Sequence, residues 1–161
     1  MSFSLQVEGI DQLMEKFKEL ENKAQGIAAQ GLYEGAGVVA DAVSRAVQGI
    51  ATEPFRYAKG GNKRKPSPEE KEILNQAQKG VAKFQKNDIS VQTSVGMQNA
   101  GYAQLGSKTK PIPQIANAIN SGTSFMKKQP FMRKAFSKSE SAAEAAIVEK
   151  ITELIDQMDI K

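Results

Sequence analysis

The chain has no cysteine and no histidine, and these two absences remove a large part of protein chemistry at once. Thiol nucleophiles, disulfides, zinc sites built from Cys or His, and imidazole acid–base catalysis all need residues that do not occur here. Aromatic residues are scarce, at 6% against 40% hydrophobic, so the core must be small and aliphatic. No run of 18 apolar residues exists, and no membrane-spanning helix is expected. Met1-Ser2-Phe3-Ser4-Leu5 lacks a basic stretch followed by a long apolar one. That argues against a secretory signal and for use in a cytoplasm or in a particle assembled there.

Nucleotide and cation motifs are missing as well. There is no Asp-x-Asp-x-Asx-Gly loop, no Walker loop, and no Gly-x-Gly-x-x-Gly ahead of a helix, so no metal or other cofactor is expected. Gly31, Gly35 and Gly37 follow helical sequence and read as close helix packing or a kink. Glu69 and Glu70 adjoin at a helix start and point in different directions, which is poor geometry for a catalytic carboxylate pair. The helix dipole explains them better, and no enzymatic activity is expected.

What the chain does have is charge divided by region. Its net charge of +4 resolves into −3 over residues 1–50, +11 over 51–138 and −4 over 139–161. An acid–base–acid order of this kind suits contact with a polyanion or docking of unlike faces between copies.

At 161 residues the chain suits one domain with a real core. Phe3, Leu5 and Val7 alternate with polar residues and predict a strand. Ile10, Leu13, Phe17, Leu20, Ala24 and Ile27 then follow spacings of three and four, the stripe of an amphipathic helix reaching about Gln48. Because glycine weakens a helix by about 1 kcal/mol relative to alanine, a bend or break is expected near Gly31 to Gly37. A helix of this length often projects from its own domain to pack on another copy.

From Gly49 to Pro68 the composition is that of a loop, and its stretch 56–65 carries Arg56, Lys59, Lys63, Arg64 and Lys65 without an acid. It reads as a solvated loop or as an arm that meets DNA or an acidic neighbour. Ser67-Pro68-Glu69-Glu70 opens a helix with a capping hydroxyl, a proline at the first position and carboxylates at the positive end. This helix is expected to reach about Phe84. Ile89, Val91, Thr93 and Val95 alternate as the clearest strand, with Tyr102, Ala103 and Leu105 its expected return partner and Lys108 and Lys110 in a polar link. A short helix follows over Gln114 to Asn120. The last helix is expected from Pro130, because the residue before a proline disfavours helix. Its stripe is Ala143, Ile147, Ile151, Leu154 and Met158. Ser137 and Ser141 each precede a glutamate by three residues, so a restart inside it is possible.

The run Ile115–Phe136, IANAINSGTSFMKKQPFMRKAF, joins these parts. The order Ala-Asn, an aliphatic residue, Gly-Thr-Ser, then Pro-Phe-Met-Arg-x-Ala-Phe resembles the minor head-tail joining, or tail-completion, family of long-tailed phages and prophages. Val7-Glu8-Gly9-Ile10-Asp11-Gln12-Leu13 resembles the family's strand-to-helix transition. Residues 51–85 match nothing in that pattern and read as a basic loop-plus-helix insertion in a single head-tail joining domain, 1–161.

The resemblance implies an α+β fold, with a small antiparallel sheet flanked by a long N-terminal helix and a C-terminal helix. It also implies a non-enzymatic structural protein of the virion neck that multimerises into a ring during assembly in the bacterial host cytoplasm. Its partners would be its own copies and other neck and tail proteins, with possible contact to packaged DNA and none to membrane. On this reading Lys127, Lys128, Phe131 and Arg133 are candidate interface residues. Ordinary core packing is the alternative for Phe131, and a solvated turn for the lysine pair. Arg56, Lys59, Lys63, Arg64 and Lys65 are candidates for DNA or an acidic partner. The alternative function is a nucleic-acid-binding protein using the basic middle segment.

Overall fold

A computed structural model describes residues 10–54, 62–77, 80–81, 85–86, 91–92, 95–97 and 100–158. The strand expected at Phe3, Leu5 and Val7 lies outside these residues. The class is α+β, with a long N-terminal helix and a C-terminal helix: α1 (Ile10–Gln48), α2 (Pro68–Gln76), α3 (Ile112–Ser121) and α4 (Phe131–Asp156).

The strands form three two-stranded antiparallel ladders. β1 (Gly80–Val81) pairs with β4 (Val95–Gly96), and nested inside that pair β2 (Gln85–Lys86) meets β3 (Val91–Gln92). β5 (Tyr102–Leu105) pairs with β6 (Lys108–Pro111) around Gly106-Ser107.

Two expectations are corrected here. The helix opened by Ser67 ends at Gln76 instead of near Phe84, since Ala77 turns to extended backbone at ψ 138 and Gly80-Val81 is strand. The strand around Val91 and Val95 therefore finds its partner upstream, and Tyr102–Leu105 pairs across a two-residue turn with the segment expected to be a polar link. The shorter closure wins in each case.

α1 and α4 run antiparallel and form the frame of the molecule. A Cβ placed on Gly31 would meet Cγ1 of Ile151 at 2.6 Å, and one on Gly35 would meet Cγ1 of Ile147 at 2.5 Å and the Ala143 carbonyl at 3.0 Å. At both positions an α4 isoleucine side chain fills the space a Cβ would need, and at Gly35 the α4 backbone is also close. The expected break near Gly31 to Gly37 does not occur, and α1 is continuous from Ile10 to Gln48. Packing of Ile147 and Ile151 into the glycine notches offsets the helix-propensity cost. Gly37 faces open space. Gly37→Ala should therefore stabilise the fold by about 0.5–1 kcal/mol, seen as a higher urea midpoint with an unchanged slope.

α4 is also unbroken past Ser137 and Ser141. With Gly31 against Ile151, α1 continues 21 residues toward its start while α4 has only five left. The N-terminal part of α1 therefore projects about 24 Å past the end of α4 at 1.5 Å per residue. Every residue from Lys18 to Ala24 is exposed, Leu20 at 57%.

At the other end of this pair one apolar cluster gathers Val43 and Val47 of α1, Leu74 of α2, Ile119 of α3, and Met126 and Phe131. α2 thus contributes to the same core as the flanking helices.

Candidate functional site

The run that joins α3 to α4 is held by its own polar side chains. Gly122 has φ +77, and a Cβ there would lie 3.1 Å from the backbone nitrogen of Lys128, so glycine is required for conformation and for space alike. The Thr123 hydroxyl accepts from the backbone N–H of Met126 at 3.0 Å, and Thr123 N–H donates to the Met126 carbonyl at 3.1 Å. Pro130 occupies the N-cap of α4 and carries no capping group. Asn120 of α3 supplies one instead, its Oδ1 accepting from Met132 N–H at 3.1 Å. The Gln129 amide makes two bonds with Ala51 just past α1, donating to its carbonyl at 2.7 Å and accepting from its N–H at 3.0 Å.

A second clamp ties the end of the basic loop to this run. Arg64 and Met126 form a parallel bridge: Arg64 N–H donates to the Phe125 carbonyl at 2.9 Å, and Lys127 N–H to the Arg64 carbonyl at 2.8 Å. The Arg64 guanidinium makes a two-pronged ion pair with Glu70, Nη1 to Oε2 and Nη2 to Oε1, both 2.7 Å. It also donates to the Lys65 carbonyl at 2.9 Å and lies 6.0 Å from the Phe125 ring centroid. Arg64 is 7% exposed and Glu70 3%.

Glu70 simultaneously closes the capping box of α2. Its carboxylate accepts from Ser67 N–H at 2.8 Å, and its own N–H donates to the Ser67 hydroxyl at 3.1 Å. Burial pushes the Glu70 carboxyl up, but the hydrogen bonds from Arg64 and Ser67 and the Arg64 charge outweigh it. The group is held below the usual carboxylate range. The hydrogen bond from Arg64 to Glu70 in turn raises the guanidinium further, against the opposing effect of burial.

Beside these clamps the last third of α1 and the first half of α4 enclose an open groove of about 700 Å³. Its floor is apolar and mostly small, with Val38, Ala42, Ala46, Phe131 and Ala135 among the lining residues. Its rim carries the exposed cations Arg45, Lys128, Lys134 and Lys138. No carboxylate is found among the described residues that line it.

The candidates read from sequence are thus distributed unevenly. Lys127, Lys128 and Arg133 are exposed, and Lys128 reaches the groove. Phe131, at 4% exposure, is packed in the core cluster and also contributes to the groove floor. Arg64 is corrected from a solvated cation to a buried structural one. Lys63 is exposed, Lys65 lies half-buried with its Nζ 3.9 Å from Glu53, and Arg56 and Lys59 fall outside the described residues.

Arg45, Lys134 and Lys138 are groove residues that sequence reasoning did not single out. Their common signal is position: Lys134 and Lys138 are one helical turn apart on α4. Among the described residues no group of three or more acidic side chains is placed to hold a metal ion, and no helix is long and apolar enough to cross a membrane. Comparison with protein-family models, with curated proteins and with solved structures finds no match to this chain.

Proposed function

We propose that this chain is a non-enzymatic structural subunit of a phage or prophage particle that multimerises at the head-tail junction, as a tail-completion or connector protein. The observation that carries the reading is the segregation of charge on the α1–α4 frame. Cations line the groove at one end of α4, and toward the other Glu144, Glu149 and Asp156 lie exposed, with Glu153 paired to Lys150. Unlike ends on identical subunits favour heterologous contacts, which close into rings when the rotation permits. The resemblance of the Ile115–Phe136 run adds the particle to which such a ring would belong. Within that run Thr123 bonds Met126, Asn120 caps Met132 and Gln129 bonds Ala51, which ties the start of α4 to α3 and to the end of α1.

The test combines light scattering and negative-stain imaging of the purified chain with co-sedimentation on phage tails and neck components. Rings, or binding to tail or neck components, are expected. A chain that stays monomeric across salt and binds neither tails nor neck components would overturn the reading. The alternative, nucleic-acid binding by the basic segment, predicts duplex-DNA affinity that falls steeply with salt, by a slope of about 0.9 per phosphate neutralised.

A further inference from the structure

We propose that the basic groove between α1 and α4 receives the acidic outer edge of α4 from a second copy of the chain. This contact deepens the assembly reading above by naming its two surfaces.

The groove needs an occupant with small apolar knobs and flanking carboxylates, because its floor is apolar and its rim is uniformly cationic. The chain carries such an element in plain view. Along the distal half of α4, Ala145, Val148, Thr152 and Ile155 repeat by three and four residues and so share one edge of the helix. All four are exposed, Val148 at 63% and Ile155 at 44%. This edge is distinct from the face used against α1, where Ile147 and Ile151 fill the glycine notches. Glu144 borders it on one side and Glu149 and Asp156 on the other, all three exposed.

The chain cannot satisfy its own groove with this edge. Both lie on a single unbroken helix, so Lys138 and Val148, ten residues apart, stand about 15 Å from each other along the axis. Only another copy can bring the carboxylates over the lysines. The attraction steers and orients the docking, and burial of Val148 and Ile155 on the small floor residues adds the apolar contribution.

The absence of cysteine makes a direct test clean. Lys138→Cys protein and a size-tagged Val148→Cys protein are mixed and oxidised. A disulfide needs Cα atoms within about 7 Å, and each chain holds one thiol, so any bridge reports two molecules. The mixed species should exceed both same-residue species several-fold. In parallel, the double reversal Lys134→Glu with Lys138→Glu should weaken self-association about tenfold or more in sedimentation velocity. Glu144→Lys with Glu149→Lys should do the same, and mixing the two reversed proteins should restore association. All four positions are exposed, so the fold is retained.

The proposal is overturned if Lys138→Cys links preferentially to Leu20→Cys on the projecting part of α1, or if the reversals leave association unchanged. It is equally overturned if they abolish only binding to a short DNA duplex. Tail and neck binding without the 138–148 link would sink this contact and leave the assembly reading standing. The link without such binding would uphold this contact, and the assembly reading would then stand or fall on whether the linked copies close into rings.

Discussion

Replacing Arg64 by methionine should destabilise the protein by about 3–5 kcal/mol, the range for removing one partner of a buried ion pair. The loss has two sources. The Glu70 carboxylate would remain buried at 3% exposure without its two 2.7 Å guanidinium bonds. The Phe125 ring would also lose the cation beside it. The backbone bridge from Arg64 to Phe125 and Lys127 survives the substitution, which separates side-chain electrostatics from strand pairing. Adding Glu70→Gln should recover part of the deficit, since the uncompensated charge is gone. It will not recover all of it, because the Gln amide can keep the bond from Ser67 N–H but its NH2 donors are left buried without the carboxylate's guanidinium partner.

The same pair fixes a pH dependence with a definite sign. In the native protein the Glu70 carboxyl is held below its usual range. A depressed folded-state pKa contributes stability that is fully present above the unfolded value and disappears as pH falls through the folded one. In Arg64→Met the cation is absent and only the hydrogen bonds from Ser67 still oppose burial, so the carboxyl moves upward and the variant gains stability on protonation. The gap between native and variant proteins should therefore be widest near pH 7 and narrow toward pH 3. Urea midpoints measured across that interval check it. A constant gap would mean that Arg64 acts through packing and not through Glu70.

Gly35→Leu should cost on the order of 3 kcal/mol, at the upper end of overpacking penalties. Even the first added carbon would sit 2.5 Å from Ile147 Cγ1 and 3.0 Å from the Ala143 carbonyl. The side chain of Ile147 can rotate away, but the carbonyl belongs to the α4 backbone, so the two helices must separate. Ile147→Ala in the same chain should return part of the loss, and the double-mutant cycle should show coupling above 0.5 kcal/mol. Two residues further along, Gly37→Ala moves stability in the opposite direction. One helix thus holds a glycine needed for contact and another that is merely tolerated, and thermal or urea unfolding of the three variants would rank them.

What could be read in advance was whatever is decided locally. The cap at Ser67, the proline that follows and the carboxylates behind it are a matter of a few residues, and α2 begins where they place it. The apolar stripe of α4 shows at its own spacing for the same reason. The end of α2 was not legible, because Val81 and Phe84 continue a helical period. Only the competing pairing of Gly80-Val81 with Val95-Gly96 makes those two residues extended.

Arg64 illustrates the larger gap. Within 56–65 nothing distinguishes it from its basic neighbours, and its partner Glu70 lies across Pro66 on a helix whose own cap already accounted for the carboxylate. Its backbone bridges Met126 and its guanidinium lies beside the Phe125 ring, some sixty residues away. Phe131 carried both meanings in sequence, core or interface; it packs in the Val43–Val47–Ile119 cluster and also lies in the groove floor. The groove was invisible for a different reason. Arg45 and Lys138 are far apart in the chain, and only the antiparallel frame set by Gly31 and Gly35 brings them to one rim.

The clasp at the foot of the basic loop has a consequence in polymer terms. Glu53 N–H donates to the Pro66 carbonyl at 2.9 Å, and the Glu53 carboxylate accepts from Lys65 N–H at 3.1 Å. The chain is therefore pinned by hydrogen bonds on both sides of positions 55–61, at Glu53 and at Arg64-Lys65, which together form a closed neck. Behind such a neck, contour length is nearly free: doubling the segment adds only about 0.6 kcal/mol of closure entropy. A graft, a label or a lengthened arm inserted between Glu53 and Arg64 is therefore expected to leave groove, frame and capping network as they are.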